Sequence, residues 1–385
     1  MLYQGWGLAA RTAAHHKIAD VIEARYGDAR LPQLAHHLLQ SSLGVADDRI
    51  IDCVVRAAER SFELLAYEEA AAWYQRALEL LRVRHPGHPR EGDLLLGCGE
   101  ARLSAGNLPA AREAYQQAAA IARTTGDAEQ LGRAALGLGA GLGGFEVQML
   151  DPVQVELLEE ALGALDPAPS QLRAWVLARL SVALSYMDDE ARRRSLSDAA
   201  VAMARQVADP SALGYALAGQ CDTIAGPEHC ETLLATATEV VGLAREIGDL
   251  PLELLGRRLC LLADLEIGDV GAADAEIQRF ALVADRLRQP LYRWYVPLWR
   301  GMRALMRRDI DEAARQCAIA EETGALAHSD NAGMLMFTQS WVRQRYQGKL
   351  HRSRRGARRL PRGRGRPGRD PGRVAISGGR RHPAR

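Results

Sequence analysis

The chain is short of lysine, aromatics and long apolar runs, and each shortage removes a class of protein. Lysine occurs only twice in 385 residues, at Lys17 and Lys349, so nearly all positive charge is arginine; we read this as the imprint of GC-rich coding and not of function. The only Gly-Lys pair, Gly348-Lys349, is followed by Leu350, so the Gly-Lys-Ser/Thr that ends a phosphate-binding loop is absent. No apolar run reaches the roughly 18 residues of a membrane helix. No basic segment followed by an apolar stretch opens the chain, so no signal peptide is expected and the location expected is the cytoplasm. Cys53, Cys98, Cys221, Cys230, Cys260 and Cys317 are scattered with no CxxC pair, which reads as reduced, mostly buried thiols. There is no Gly-x-Ser-x-Gly elbow. Carboxylate pairs such as Glu68-Glu69 and Asp188-Asp189 fall at helix starts and turns, where the helix dipole and solvation account for them. Nothing here points to catalysis, a cofactor or a bound metal.

What the chain has in plenty is Ala and Leu. It is 48% apolar but 5% aromatic, a composition that favours helices. No segment alternates apolar and polar residues between turns as a strand does. Two stretches repeat each other: LLAYEEAAAWYQRALELL (64–81) and SAGNLPAAREAYQQAAAIA (104–122). Ala70, Tyr74 and Ala77 in one, and Ala111, Tyr115 and Ala118 in the other, each fall on a single helix face. Small residues there let a partner helix approach while the tyrosine fills the groove. Polar turns recur about every 40 residues, at Gly126-Asp127, Asp166-Pro167, Asp209-Pro210, Gly248-Asp249, Gln289-Pro290 and Ser329-Asp330. Asp and Ser suit helix N-caps and Pro the first helical turn. Shorter turns at 104–109, 266–271 and 307–311 split each unit into two helices. The expected fold is all-α, a right-handed superhelix of tetratricopeptide-like hairpins with a period near 40 and roughly seven helix pairs. Each hairpin buries its apolar face only against its neighbours, and the stack leaves a concave face.

Gly139-Ala-Gly-Leu-Gly-Gly144 is a formal GxGxxG, but a dinucleotide loop must follow a strand. Here the preceding segment carries Leu131, Ala135 and Leu138 at helical spacing, so the glycines are expected to end a helix and admit close neighbours. His15-His16 and His36-His37 are the most metal-like residues, yet adjacent histidines point about 100° apart on a helix and no Cys or acid completes a four-ligand set. Cys221 with His229-Cys230 straddles a turn and is also expected to be structural. Tyr292, Trp294, Tyr295 and Trp299 cluster in sequence and are candidate ligand contacts on the concave face, with core packing as the competing reading.

Several stretches resemble a known family. HHKIADVIEARYGD with LPQLAHHLLQS, then VVRAAERSFELLAYEEAAAWYQRALELL, together with LGLGAGLGGFEV and LRQPLYRWYVPLWRGMRAL (287–305), are similar to a region of bacterial signal-transduction ATPases that includes their tetratricopeptide-like arm. These include LuxR-type regulators related to the maltose-regulon activator, and some multidomain adenylate cyclases. The resemblance implies a helical remnant of an ATPase or winged-helix module at 1–45 and a repeat superhelix at 46–348. It also implies a non-catalytic sensor or interaction arm of a transcriptional or signalling regulator, with a protein or peptide, or a small effector, on its concave face. The departures are the missing phosphate-binding loop and the missing C-terminal DNA-binding motif. The alternative is a truncated fragment of a multidomain ATPase or cyclase.

Residues 349–385 form the last distinct segment, with 14 basic residues and one acid, Asp370; the remaining 348 residues hold 35 basic and 47 acidic ones. With almost no large apolar residues the segment cannot build a core and is expected to be disordered. Two readings stand. One is a frameshift product, because out-of-frame GC-rich DNA gives such an Arg/Gly/Pro mixture. The other is a polyanion-binding tail contacting nucleic acid through Arg354, Arg355, Arg358 and Arg359.

Overall fold

The computed structural model describes residues 7–42, 47–139, 151–185, 187, 190–224 and 226–349. Among these residues the regular elements are all helical. A first pair, α1 (Leu8–Tyr26) and α2 (Leu31–Ser41), packs onto α3 (Asp48–Glu63). From there the helices run α4 (Tyr67–Arg84), α5 (Arg90–Ser104), α6 (Leu108–Thr125), α7 (Ala128–Leu138), α8 (Pro152–Ala164), α9 (Gln171–Ala183) and α10 (Glu190–Val207). They continue as α11 (Pro210–Thr223), α12 (Cys230–Ile247), α13 (Leu250–Ile267), α14 (Val270–Leu287), the single turn α15 (Pro290–Arg293), α16 (Tyr295–Met306), α17 (Ile310–Leu326) and α18 (Asp330–Tyr346). Consecutive helices pack as hairpins, and α5, α7, α9, α11 and α13 also contact one another in series. These first helices of each hairpin form the inner layer of a superhelix.

The periodic turns are where the caps are made. Asp127, Asp209, Asp249 and Ser329 each accept the backbone N–H three residues on, at 2.7 to 3.0 Å, and so start α7, α11, α13 and α18. Asn107, Asp269 and Asp309 do the same at the turns inside hairpins. At the 166–170 turn the cap falls to Ser170, which accepts from Arg173.

The repeated small-residue faces are buried as their spacing requires: Ala70, Ala77 and Ala118 have no exposed surface, and Ala111 almost none. The tyrosines between them sit in hollows left by glycines of the neighbouring helices. A Cβ on Gly97 would lie 2.7 Å from the Tyr74 ring, and one on Gly99 2.8 Å from the Tyr115 ring; a Cβ on Gly137 would collide with Tyr115 as well. Gly137 lies in the glycine-rich stretch, and its role is to make room for an aromatic ring. Gly139, the C-cap of α7, plays a similar part, since a side chain there would collide with Gln154 and Arg179. The remainder of the GxGxxG, including Gly141, Gly143 and Gly144, lies outside the described residues.

The superhelix turns far enough for its hairpins to meet again. The turn after α5 touches the turn after α17, more than 200 residues away. His328 Nδ1 lies 3.0 Å from the Gly106 carbonyl, and Gln289 Nε2 donates to Ser104 Oγ at 3.2 Å. Tyr67 Oη donates to the Leu287 carbonyl at 3.0 Å and accepts from Gln289. Gly106 adopts φ +87°, and a Cβ there would lie 2.7 Å from the Leu326 carbonyl oxygen. Only glycine satisfies both demands at this seam.

Candidate functional site

Closure of the superhelix converts its concave face into a cavity of about 860 Å³. The wall is built mainly from one face of each inner helix. From α5 come Asp93, Leu96, Gly97, Glu100 and Leu103, spaced three and four apart. The helix α7 gives Arg133, Leu136 and Gly137, α9 gives Leu172 and Trp175, and α11 gives Tyr215. Pro251, Gln289 and Tyr292 complete the far side, and Phe62 and Tyr67 the near side. Tyr115 belongs to the outer helix α6 but reaches the cavity between Gly99 and Gly137.

The wall is aromatic with a few polar groups at fixed places. Trp175 and Tyr215 meet edge to face at 6.2 Å, and Phe62 and Tyr67 at 5.3 Å. Tyr215 Oη donates to the Asp249 carboxylate at 3.2 Å, while the same carboxylate caps α13. Gln130 donates to Asp93 at 3.3 Å and Arg60 to Glu63 at 2.9 Å. Glu100 is different. Its side chain opens to the cavity and receives no hydrogen bond and no ion pair among the described residues. The helices around it desolvate the carboxylate and push its pKa up. Burial raises the pKa of Tyr115 and Tyr215, with the Glu100 charge next at Tyr115 and, at Tyr215, behind Asp249 and Tyr292.

The structure separates the four aromatics singled out in the sequence. Tyr292 lines the cavity, whereas Trp294, Tyr295 and Trp299 are packed in the core, with Trp294 wholly buried. Trp294 stacks on Tyr295 at 3.9 Å, Tyr295 meets Trp299 at 5.4 Å, and Phe280 meets Trp299 edge to face at 4.7 Å. The reason is local: the turn α15 swings Tyr292 inward, and the start of α16 drives the next aromatics between α14, α17 and α18. Of the cavity residues, the sequence marks Tyr115 only as a packing residue, and Tyr67, Glu100, Trp175 and Tyr215 carry no local motif that singles them out. Their common feature is position on hairpins α3–α4, α5–α6, α9–α10 and α11–α12, visible only once the hairpins are stacked.

The histidine pairs partly converge. His15 Nδ1 lies 2.8 Å from His37 Nδ1, and the His36 ring centroid is 6.0 Å from that of His15, while His16 turns away toward Asp20. Burial first, then His36 and Arg11, lower the His15 pKa. Burial, then His15 and His36, lower that of His37. Cys221 is buried on α11, His229 sits in the turn before α12, and Cys230 begins α12. Among the described residues no group of three or more His, Cys, Asp or Glu is arranged to hold a metal ion. No described helix is long and apolar enough to cross a membrane. Arg354, Arg355, Arg358 and Arg359 lie outside the described residues.

Residues 62–124, the segment from the end of α3 to the end of α6, match the family model of the tetratricopeptide repeat. They carry both Ala/Tyr/Ala faces and Glu100. No curated protein matches the chain in sequence. Among solved structures it is similar to a Rap protein complexed with competence and sporulation factor, at 10% identity and a TM-score of 0.51, over 83% of this chain and 98% of that one. It is also similar to a signal-transduction ATPase with numerous domains and a tetratricopeptide repeat sensor, from Pyrococcus horikoshii. That match has 12% identity and a TM-score of 0.54 over 90% of this chain; the chain spans 57% of the length of that protein. At such identities these likenesses concern the fold, which is an all-α superhelix of tetratricopeptide-like hairpins.

Proposed function

We propose that this chain is a non-catalytic sensor arm of a signalling or transcriptional regulator, and that it takes a peptide or the exposed segment of a partner protein into its closed concave cavity. The observation that carries the reading is the cavity itself. Its volume lies in the range of ligand sites, its wall is mostly apolar and aromatic, and several of its polar groups, Glu63, Asp93, Tyr215 and Gln289, are held by neighbouring side chains. Two things support it. A structurally similar Rap protein is complexed with competence and sporulation factor, and a similar ATPase carries a tetratricopeptide repeat sensor. The resemblance of 1–45 to the end of an ATPase or winged-helix module and of 46–348 to the arm that follows it agrees with this reading. In this reading α1 and α2 are the junction to an ATPase-like module, and the cavity is where the arm senses its partner.

Binding inside the superhelix has a recognisable footprint. Peptides selected from a random hexapeptide library against the full chain should slow backbone hydrogen exchange on α5, α7, α9 and α11. Slowing confined to the outer helices α6, α8 and α10 would place the partner elsewhere and overturn the proposal. The basic segment at 349–385 supports a second reading, polyanion binding through Arg354, Arg355, Arg358 and Arg359. It predicts DNA association that weakens steeply with salt and disappears on deletion of 350–385.

A further inference from the structure

Glu100 is an acid of the cavity wall that packing does not explain. Its side chain is exposed to the cavity and so hydrated and reachable, while the helices around it leave the carboxylate less well solvated than one on an open surface. Among the described residues none pairs with it. The neighbouring phenols are committed elsewhere, Tyr67 to the Leu287 carbonyl and Tyr215 to Asp249. Arg133, on the same wall, makes no ion pair with Glu100, although both side chains are open to the cavity. The other two acids of the wall, Glu63 and Asp93, each accept a hydrogen bond from a neighbour. The same cavity is lined by the half-buried Trp175 ring and by the mostly buried Tyr115 and Tyr215, and aromatic rings attract cations. The indole N–H of Trp175 is itself buried without an acceptor.

We infer that Glu100 is the recognition point for an organic cation, the ammonium or guanidinium of a basic side chain on the bound peptide, seated among aromatic rings. This rests on the cavity being the peptide site. A metal ion does not fit the same place, because no group of three or more ligating side chains is arranged to hold one among the described residues. A basic side chain does fit. Its stem packs on the aromatic wall, its head neutralises Glu100, and the water it loses is replaced by a charge-assisted hydrogen bond.

The test compares the full wild-type chain with Glu100→Gln, both verified by circular dichroism, in selections from the same random hexapeptide library. Trp fluorescence titrations with agmatine and with spermidine run alongside. Wild type should enrich Lys or Arg at one peptide position, and replacing that residue by Gln should weaken binding by about tenfold or more. Glu100→Gln should bind the same peptides without that preference. Peptides selected with no basic preference, or a preference that survives Glu100→Gln, would overturn the inference and leave the peptide site standing. Glu100-dependent binding of agmatine or spermidine with no peptide selected would uphold the cation site and overturn the peptide reading. Binding of neither would overturn both.

Discussion

Two aromatic groups of similar size divide the molecule. One, Phe280, Trp294, Tyr295 and Trp299, lies close together in sequence and forms a dense plug between α14 and α16. The other, Tyr67, Tyr115, Trp175, Tyr215 and Tyr292, contributes one ring from each of several hairpins and surrounds a cavity. The first group is packed ring on ring, with the Arg258 guanidinium 5.6 Å from the centre of the Tyr295 ring. The second faces open space and a carboxylate with no partner among the described residues. Aromatics that are neighbours along one helix point to different faces and are taken up by packing on every side. Aromatics contributed one at a time by successive hairpins, Tyr67, Tyr115, Trp175 and Tyr215, meet at the concave face. In a solenoid, therefore, a ligand wall is spread through the sequence, and a local cluster belongs to the core.

The contrast predicts its own largest break. Trp294→Ala removes a wholly buried ring and should destabilise the α14–α17 region by about 3–5 kcal/mol. Trp175→Ala, at a half-buried position on the cavity wall, should cost much less while changing ligand binding. Because a repeat array need not unfold all at once, the comparison is best read by hydrogen exchange region by region. Equal losses at the two tryptophans would erase the distinction between plug and wall.

A smaller effect should follow at the floor of the cavity. Gly137→Val places a branched side chain where the Tyr115 ring lies, and the ring must move into the cavity or α6 must shift. Overpacking of this kind costs about 1–3 kcal/mol. The measurement that checks it is ligand affinity beside stability. The expected outcome is loss of both, whereas retained binding at lowered stability would show that Tyr115 is no part of the wall.

How much of this was legible in the sequence depends on the distance over which the information is carried. The caps at Asp127, Asp209, Asp249 and Ser329 are local, because each is set by one side chain and the N–H three residues on, and the 40-residue spacing displays them directly. The buried faces Ala70/Ala77 and Ala111/Ala118 are local too, as one helix period defines them. The cavity was not legible. Closure depends on Gly106 meeting Leu326 and on Tyr67 meeting Leu287, contacts across some 220 residues that no periodicity encodes. Glu100 was hidden for the same reason: on its own helix it reads as one more solvated acid, and only the ring of hairpins encloses it. The glycine-rich stretch was half legible, since helix termination at Gly139 could be read, but the need of Tyr115 for Gly137 could not.

The seam offers a test at about 1 kcal/mol. Tyr67→Phe deletes the hydrogen bond to the Leu287 carbonyl and leaves that buried acceptor and Gln289 with one partner fewer. Exchange should quicken at the 287–292 turn and at the end of α5, with the outer helices α8 and α10 unchanged. If quickening spreads along the whole array, the seam holds the superhelix together and does more than close its cavity.

The smallest expected effect separates wall from plug by charge and not by packing. Burial raises the Glu100 pKa above its unfolded value. A raised carboxyl pKa means that the folded state holds the proton more tightly. Its contribution is therefore fully present below the ordinary carboxyl range and is lost as pH rises through the folded pKa. Near pH 7.5 the ionised Glu100 is a net cost in the empty protein, and Glu100→Gln removes it. The carboxylate still reaches water within the cavity, which screens the cost, so the gain in local stability of α5 should be below about 1 kcal/mol. At pH 4 the wild-type side chain is largely neutral, and the difference between the two proteins should shrink toward zero. A stabilisation of the same size at both pH values would mean that Gln merely packs better. A loss of stability at pH 7.5 would mean that Glu100 has a favourable partner in the folded protein, and the contrast between an open wall and a packed plug would lose its charged half.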